Sequence, residues 1–240
     1  QALVPKMRLG AEVTGASYCP HDGHANPLLL LKALHAALKS HGAAYLPDAP
    51  ARAIAYRGGS FTVDTPAGPI VAARVVLAAG HGSAALAPAL GLSAPIRPER
   101  GQILITERLD HFLPLPASGL RQTADGTVMI GATHDNPGFD VSTTADASAK
   151  LAHRAVRIAP DLARARLVRT WAGLRILTPD GCPIYMESAT CPGAFLAICH
   201  SGVTLAAVHA VDLAGAIADG ALPARLAPFH PGRFDVSKAA

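Results

Sequence analysis

The sequence is poor in the residues that mark several whole classes of protein. Charged residues make up only 16% of its 240 positions and aromatics 5%, with a single tryptophan. So little charge beside a hydrophobic half excludes disorder of the low-hydropathy, high-charge kind. The 21 Lys and Arg against 17 Asp and Glu leave a net charge of +4. The arginines recur singly from Arg8 to Arg233 without a basic run, so no nucleic-acid partner is expected. Cys19, Cys182, Cys191 and Cys199 contain no C-x-x-C pair and are too few for a disulfide scaffold of this length, which predicts a reducing, cytoplasmic setting. Long apolar runs are missing too. The most apolar stretch, residues 193–218, is broken by His200, Ser201, Thr204, His209 and Asp212, so no transmembrane segment is expected. The chain begins at Gln1 without Met or a basic-then-apolar leader, and it reads as an internal start.

What is present alternates between two textures. Residues 12–18 read as a strand interrupted by Gly15, followed by the turn Pro20-His-Asp-Gly23. Asn26 and Pro27 supply an N-cap and a first-turn proline for a helix over 28–41, apolar at Leu30, Leu31, Leu34 and Leu38 and stopped by Gly42. A short strand over 43–46 precedes a meander of strands at 52–56, 60–64 and 69–71, joined by Gly-rich turns. Arg74-Val-Val-Leu-Ala-Ala-Gly80 has the continuous apolarity of a parallel strand buried on both faces, and a short helix over 83–90 follows it. Between 95 and 169 the texture changes to antiparallel strands, at 101–106 and 127–131, and a helix at 145–158. After Trp171 the first texture returns, with a strand at 194–199 and a helix at 203–217. The expected fold class is therefore α/β, with one domain over 20–93 and 170–240 and an antiparallel α+β domain over 1–19 and 94–169.

Four clusters carry candidate chemistry. Gly80-His-Gly82-Ser-Ala-Ala85 follows a strand, opens a helix and has Glu99 downstream, in the pattern of a dinucleotide fingerprint, although its helix is barely two turns. His21-x-x-His24 has the spacing of two metal ligands, but its turn chemistry does not align both rings and no third ligand is evident, so no metal is expected. Arg175 follows an apolar Trp-Ala-Gly-Leu. There a guanidinium needs a carboxylate, either Asp180 within the chain or a carboxylate on a substrate. The segment His200-Ser-Gly-Val-Thr-Leu-Ala206 joins a strand to a helix and offers amides to an anionic or carbonyl-bearing ligand, or else is an ordinary capped turn. No G-x-S-x-G elbow is present to suggest a hydrolase.

Taken in order, Asp22-Gly-His-Ala-Asn-Pro27, residues 74–80, Pro95-Ile-Arg-Pro-Glu-Arg-Gly-Gln102, Ile130-Gly-Ala132, Trp171 to Arg175, Thr178-Pro-Asp-Gly181 and Cys199-His-Ser-Gly202 resemble the superfamily of D-amino acid, glycine and sarcosine oxidases. Residues 200–207 are most similar to the FAD subunits of opine oxidases, D-hydroxyproline dehydrogenases and hydrogen cyanide synthase. The resemblance implies FAD as cofactor. Ala51 would meet the adenine, Ala78, Ala79 and Gly80 the pyrophosphate and ribose, and His200, Ser201, Gly202, Val203, Thr204, Leu205 and Ala206 the flavin's pyrimidine edge. Arg175 falls where the family places its substrate-carboxylate arginine. The implied reaction is hydride transfer from the Cα–H of an amino acid, imino acid or opine to flavin, with further subunits of a dehydrogenase complex as implied partners. The family's second glycine-oxidase arginine is Gly202 here, which points to a larger secondary amine. The resemblance starts after the family's N-terminal strand, G-x-G-x-x-G loop and ribose-binding acid, so the present residues are expected to hold FAD only together with such a segment. Two alternatives remain open: a non-catalytic scaffold subunit, and an NAD-binding dehydrogenase using Gly80 to Ala85.

Overall fold

The computed structural model describes residues 2–117 and 119–235. In chain order the main elements are α1 (Pro27–Ser40), β1 (Ala53–Arg57), β2 (Ser60–Asp64), β3 (Ile70–Ala72), β4 (Val75–Leu77), α2 (Ser83–Leu86), β5 (Arg97–Arg108), β6 (Leu120–Gln122) and β7 (Thr127–Gly131). They continue as α3 (Ala145–Ile158), β8 (Leu167–Leu177), β9 (Ile184–Glu187), β10 (Ala194–Ile198), α4 (Ala206–Val208) and α5 (Ala214–Asp219). They divide into two compact units, residues 1–26 with 98–175 and residues 27–97 with 176–240.

The first unit is a four-stranded sheet in the order β6-β7-β5-β8, with β5-β7 and β6-β7 antiparallel. Burial alternates along β6, β7 and the Gln102–Thr106 part of β5. Gln102, Leu104 and Thr106 on β5, Val128 and Ile130 on β7, and Leu120 and Gln122 on β6 are buried, whereas Ile103, Ile105, Met129 and Arg121 are only half-buried. A period of two puts the first set on one face and the second on the other. The buried face packs against α3 through Leu151 and Ala155, in a core with Met7, Leu113 and Leu162. Helix α3 starts where Thr144 accepts a hydrogen bond from the Ala147 amide, a side-chain N-cap. Gln102 fastens that cap to the sheet: its Oε1 accepts from the Thr144 amide at 2.9 Å and its Nε2 donates to Ser148 Oγ at 2.7 Å.

The second unit holds two three-stranded sheets, β1-β2-β3 and β4-β10-β9. The first is an antiparallel meander whose β1-β2 turn sets Gly58 and Gly59 at φ 56° and 81°, the left-handed values that a tight hairpin demands. In the second, β4 runs parallel to β10, and β10 antiparallel to β9. Ile54, Phe61, Leu77, Leu90, Ile184, Leu196 and Ile198 form the core.

Several expectations need correction. Residues 13–19 form no strand; all but Val13 are exposed and have no sheet to join, although Glu12 ion-pairs with Arg157. Residues 43–46 are likewise irregular and exposed. Strand β4 is not buried on both faces, since Val76 is 41% exposed. The helix expected over 83–90 ends at Leu86; Pro88 opens a separate 3-10 turn, because its ring has no N–H to continue the ladder. The helix expected over 203–217 is present as one helical run that starts at Ala206 and ends at Asp219, with a π-helical turn at His209–Leu213 between α4 and α5.

Candidate functional site

Arg175 lies near the C-terminal end of β8, on the half-buried face of the first unit's sheet. Its Nη1 donates to Glu99 Oε1 at 3.0 Å and to the Thr133 carbonyl at 2.9 Å. The guanidinium lies flat over Gly101, where a Cβ would stand 2.5 Å from Nη2 and 2.7 Å from Cζ. Glycine is therefore required at that spot for the arginine to lie down. Glu99 is 12% exposed and also meets His134 Nδ1 at 2.7 Å. Burial pushes the Glu99 carboxyl up, but the His134 and Arg175 contacts outweigh it and leave its pKa below the ordinary value. Among the described residues neither Nε nor Nη2 of Arg175 has a hydrogen-bond partner, so one forked edge stays open on that face.

The internal alternative for Arg175, a pair with Asp180, is overturned. Asp180 accepts from Arg233 Nε at 2.8 Å and Nη2 at 3.1 Å, which drops its pKa to about 2. Glu99, the acid downstream of the Gly80 turn in sequence, is the partner of Arg175. The proline-rich segment that contains Glu99 was visible in sequence; its pairing across 76 residues was not.

Sequence reasoning also missed Arg121. Its Nε donates to His24 Nδ1 at 2.6 Å, and its Nη1 contacts Met129 Sδ, across the strand pair, at 3.5 Å. The alternation Leu120-Arg121-Gln122 against Val128-Met129-Ile130 was the signal that would have put it on this face. His24 is thus a hydrogen-bond partner of Arg121.

The second unit carries an open cavity of about 480 Å³, lined by Ala78, Gly80, Ile176, Cys199, His209 and Leu213 among others. Of the residues expected to hold FAD, it gathers Ala78 and Gly80. Ala51, Ala79 and residues 200–206 do not line it. Gly80 takes φ 57°, and a Cβ there would stand 3.1 Å from Ile176 Cδ1, so the chain after β4 presents bare backbone to the cavity. That bare turn fits a bulky ligand approaching the main chain, as a dinucleotide's phosphates do. The segment 200–206 is a turn with Val203 and Thr204 exposed, leading into the three-residue α4 without a side-chain cap. The helical run that it precedes continues without a break from Ala206 to Asp219, through a π-helical turn at His209–Leu213. Tyr185, 4% exposed, bonds His209 Nε2 at 2.7 Å. Burial pushes the tyrosine up to about 12 and lowers His209, so the pair is favoured with both groups uncharged. Burial also raises the Cys199 thiol.

Residues 1–216 match the family model described as DAO, FAD dependent oxidoreductase. An opine oxidase subunit of Agrobacterium tumefaciens (strain Ach5) is 45% identical over 239 residues, covering 100% of this chain and 64% of that protein. Hydrogen cyanide synthase subunit HcnC of Pseudomonas aeruginosa is 34% identical, covering 91% and 55%. Among solved structures, glycine oxidase from Geobacillus kaustophilus superposes with a TM-score of 0.77 at 28% identity, over 84% of this chain and 56% of that one. The L-proline dehydrogenase of P. horikoshii shares the fold with a TM-score of 0.86 at 23% identity, over 98% and 66%. The chain thus spans under two thirds of the length of these curated relatives, with a mixed α/β fold shared along most of its own. No helix among the described residues is long and apolar enough to cross a membrane. The chain belongs to the DAO family of FAD-dependent oxidoreductases.

Proposed function

We propose that this chain is the substrate-recognising portion of an enzyme that oxidises the C–N bond of an amino acid, imino acid or opine. The observation that carries the reading is Arg175: a half-buried guanidinium, floored by Gly101 and held at Nη1 by Glu99, with its Nε/Nη2 edge open. That edge matches a carboxylate bidentately. Glu99 and the Thr133 carbonyl fix the guanidinium plane before substrate arrives, which removes an ordering cost from binding. When bound, FAD supplies the hydride acceptor that turns the amine into an imine, and water hydrolyses that imine to an oxo acid and the freed amine. Ala78 to Gly80 would hold it by bare backbone, together with Ala51 and residues 200–206. Among relatives, the opine oxidase and hydrogen cyanide synthase proteins are named as subunits, and we propose that this chain too works alongside other subunits.

The test is retention of FAD absorbance after free cofactor is removed, followed by anaerobic bleaching with carboxylate-bearing secondary amines, using the chain alone and with any co-encoded subunit. Arg175→Lys keeps the charge but loses the fork, and should raise KM about ten- to hundredfold with a smaller change in kcat. Failure to hold flavin in either form, or an unchanged KM, overturns the reading.

A further inference from the structure

Strand β7 ends at Gly131, but the chain stays beside β5 as far as Asp135. The Thr133 amide donates to the Gln102 carbonyl at 3.2 Å, and Arg100 and Asp135 exchange both backbone hydrogen bonds, at 2.8 and 3.0 Å. His134 therefore stands across from Gly101. Thr133 Oγ1 and Asp135 Oδ2 bond each other at 2.8 Å on one side of this segment. Alternation leaves His134 on the other side, the face of Glu99, Gly101 and the Arg175 guanidinium.

His134 Nδ1 meets Glu99 Oε1 at 2.7 Å, and the same oxygen takes Arg175 Nη1 at 3.0 Å. Burial raises the Glu99 pKa, but the His134 and Arg175 contacts lower it by more, so the carboxylate is ionised near neutrality and can only accept. The proton of the His134–Glu99 bond therefore sits on Nδ1, and a neutral ring keeps its lone pair on Nε2. Among the described residues Nε2 has no partner, and the side chain is 70% exposed. As a staple for the segment such an exposed pair is worth little, because the backbone bonds to Gln102 and Arg100 already fix it. A carboxylate behind Nδ1 with Nε2 left free instead suits proton transfer, since the carboxylate stabilises the imidazolium that forms. Of the charged groups around the ring, Glu99 on β5 and Arg175 on β8 share its face; Asp135 lies 3.8 Å from Arg100 Nε and also interacts with Lys150.

We infer that His134, backed by Glu99, is the base that takes the ammonium proton of a substrate whose carboxylate sits on Arg175. This assignment rests on the reading of Arg175 given above and deepens it. In an amino acid the amine is one carbon from the carboxylate, so a carboxylate on the open edge of Arg175 brings the amine to the neighbouring His134. Near neutrality that amine arrives as ammonium, without the lone pair that forms the imine. Its N–H bond breaks and leaves the electron pair on nitrogen, while a new N–H bond forms at Nε2. The freed pair becomes the second C–N bond as the Cα–H departs as hydride to the flavin of that reading. The imidazolium, its charge offset by Glu99, then returns its proton to water.

Two probes carry the same charges and differ in the proton: N-methylglycine has an ammonium N–H to give, and N,N,N-trimethylglycine has none. In the 240-residue chain without flavin, the Arg175 Nε–H signal in NMR reports occupancy by each probe. The His134 Nε2 signal should move with N-methylglycine only. Equal movement with both, or none with N-methylglycine, overturns the contact. His134→Gln keeps a hydrogen-bond acceptor but cannot take a proton. In the flavin-loaded protein with any co-encoded subunit, its rate of anaerobic flavin reduction by a panel of carboxylate-bearing secondary amines, N-methylglycine included, should fall about a hundred- to ten-thousandfold near neutrality with little change in KM. That deficit should shrink as pH rises toward the pKa of the amine, where the substrate arrives already neutral, and added imidazole should restore part of the rate of His134→Ala. A deficit equal at every pH, or none at all, overturns the base. Movement of the His134 signal without flavin reduction by any amine of the panel would instead overturn the proposed oxidation and leave the contact standing.

Discussion

Helices α1 and α3 are each 14 residues long, and they make opposite use of their apolar side chains. Helix α3 is the more polar of the two, yet it buries Ala147, Leu151 and Ala155 at four-residue intervals against the sheet. Helix α1, with six leucines, buries none of its residues, and Leu28, Leu29, Leu31 and Leu34 are 51–76% exposed. Apolar content therefore predicts the helix, whereas burial depends on what the face has to pack against. Leucine, alanine and lysine have the propensity to hold α1 together locally. Helix α3 is held by its Thr144 cap, by Gln102 and by the core.

That contrast is broken most directly by truncating one side chain in each region. Leu104→Ala removes a fully buried leucine facing α3 and should cost about 3 kcal/mol of unfolding free energy in a urea titration. Leu31→Ala should change it by about 0.5 kcal/mol or less. Equal losses would mean that α1 is as well packed as α3.

The chemistry divides along the same line. The first unit's sheet is covered on one face and offers the other, so a side chain's position in the alternation decides whether it is core or site. Gly101 tests this sharply. Its added Cβ would meet the Arg175 guanidinium, the far end of a flexible side chain, so Gly101→Ala should fold and displace the arginine instead of the backbone. Carboxylate affinity should fall about tenfold with little change in thermal midpoint. A large loss of stability with unchanged affinity would show that the glycine serves the strand.

This alternation also explains how much was legible. Strands β1, β2, β7 and β10 and helix α3 follow from periodicity and turn residues, because their local preference agrees with the packing they meet. The strand expected at 12–18 fails because extended-looking sequence needs a neighbouring edge to pair with, and none is beside it. Arg175 could be singled out from its apolar flank, but not its partner, since Asp180 was near in sequence and Glu99 near in space. Arg121 was overlooked because a lone arginine in a strand reads as solvent-facing until its cross-strand contact is seen.

In the second unit the charged contacts are structural, and pH separates them. Arg233 holds Asp180 at about 2, below its ordinary 3.8, so the stabilisation is complete above that ordinary value and lost as pH falls from there toward 2. Asp180→Asn should flatten the stability profile in that window and leave it unchanged near neutrality apart from a constant offset. A variant that still shows the parent's acid slope would place the titration elsewhere, for instance on Glu99, whose pKa is also lowered.

A small effect is expected at the cavity. Burial favours the neutral form of His209, whose Nε2 shares a hydrogen bond of 2.7 Å with the phenol of Tyr185, itself held protonated by its raised pKa. Burial favours the uncharged ring, so its contribution is present above the ordinary value of 6.5 and fades as pH falls through the lowered one. Tyr185→Phe keeps the ring and its edge contacts with His209 and Phe229 but removes the hydroxyl, at a cost of about 1 kcal/mol. The histidine's pKa, followed by NMR titration, should then climb part of the way back to its ordinary value. A full return would mean that the phenol and not burial sets the imidazole's charge. No movement would mean that the cavity wall does so alone, which would make His209 a packing residue of the cavity.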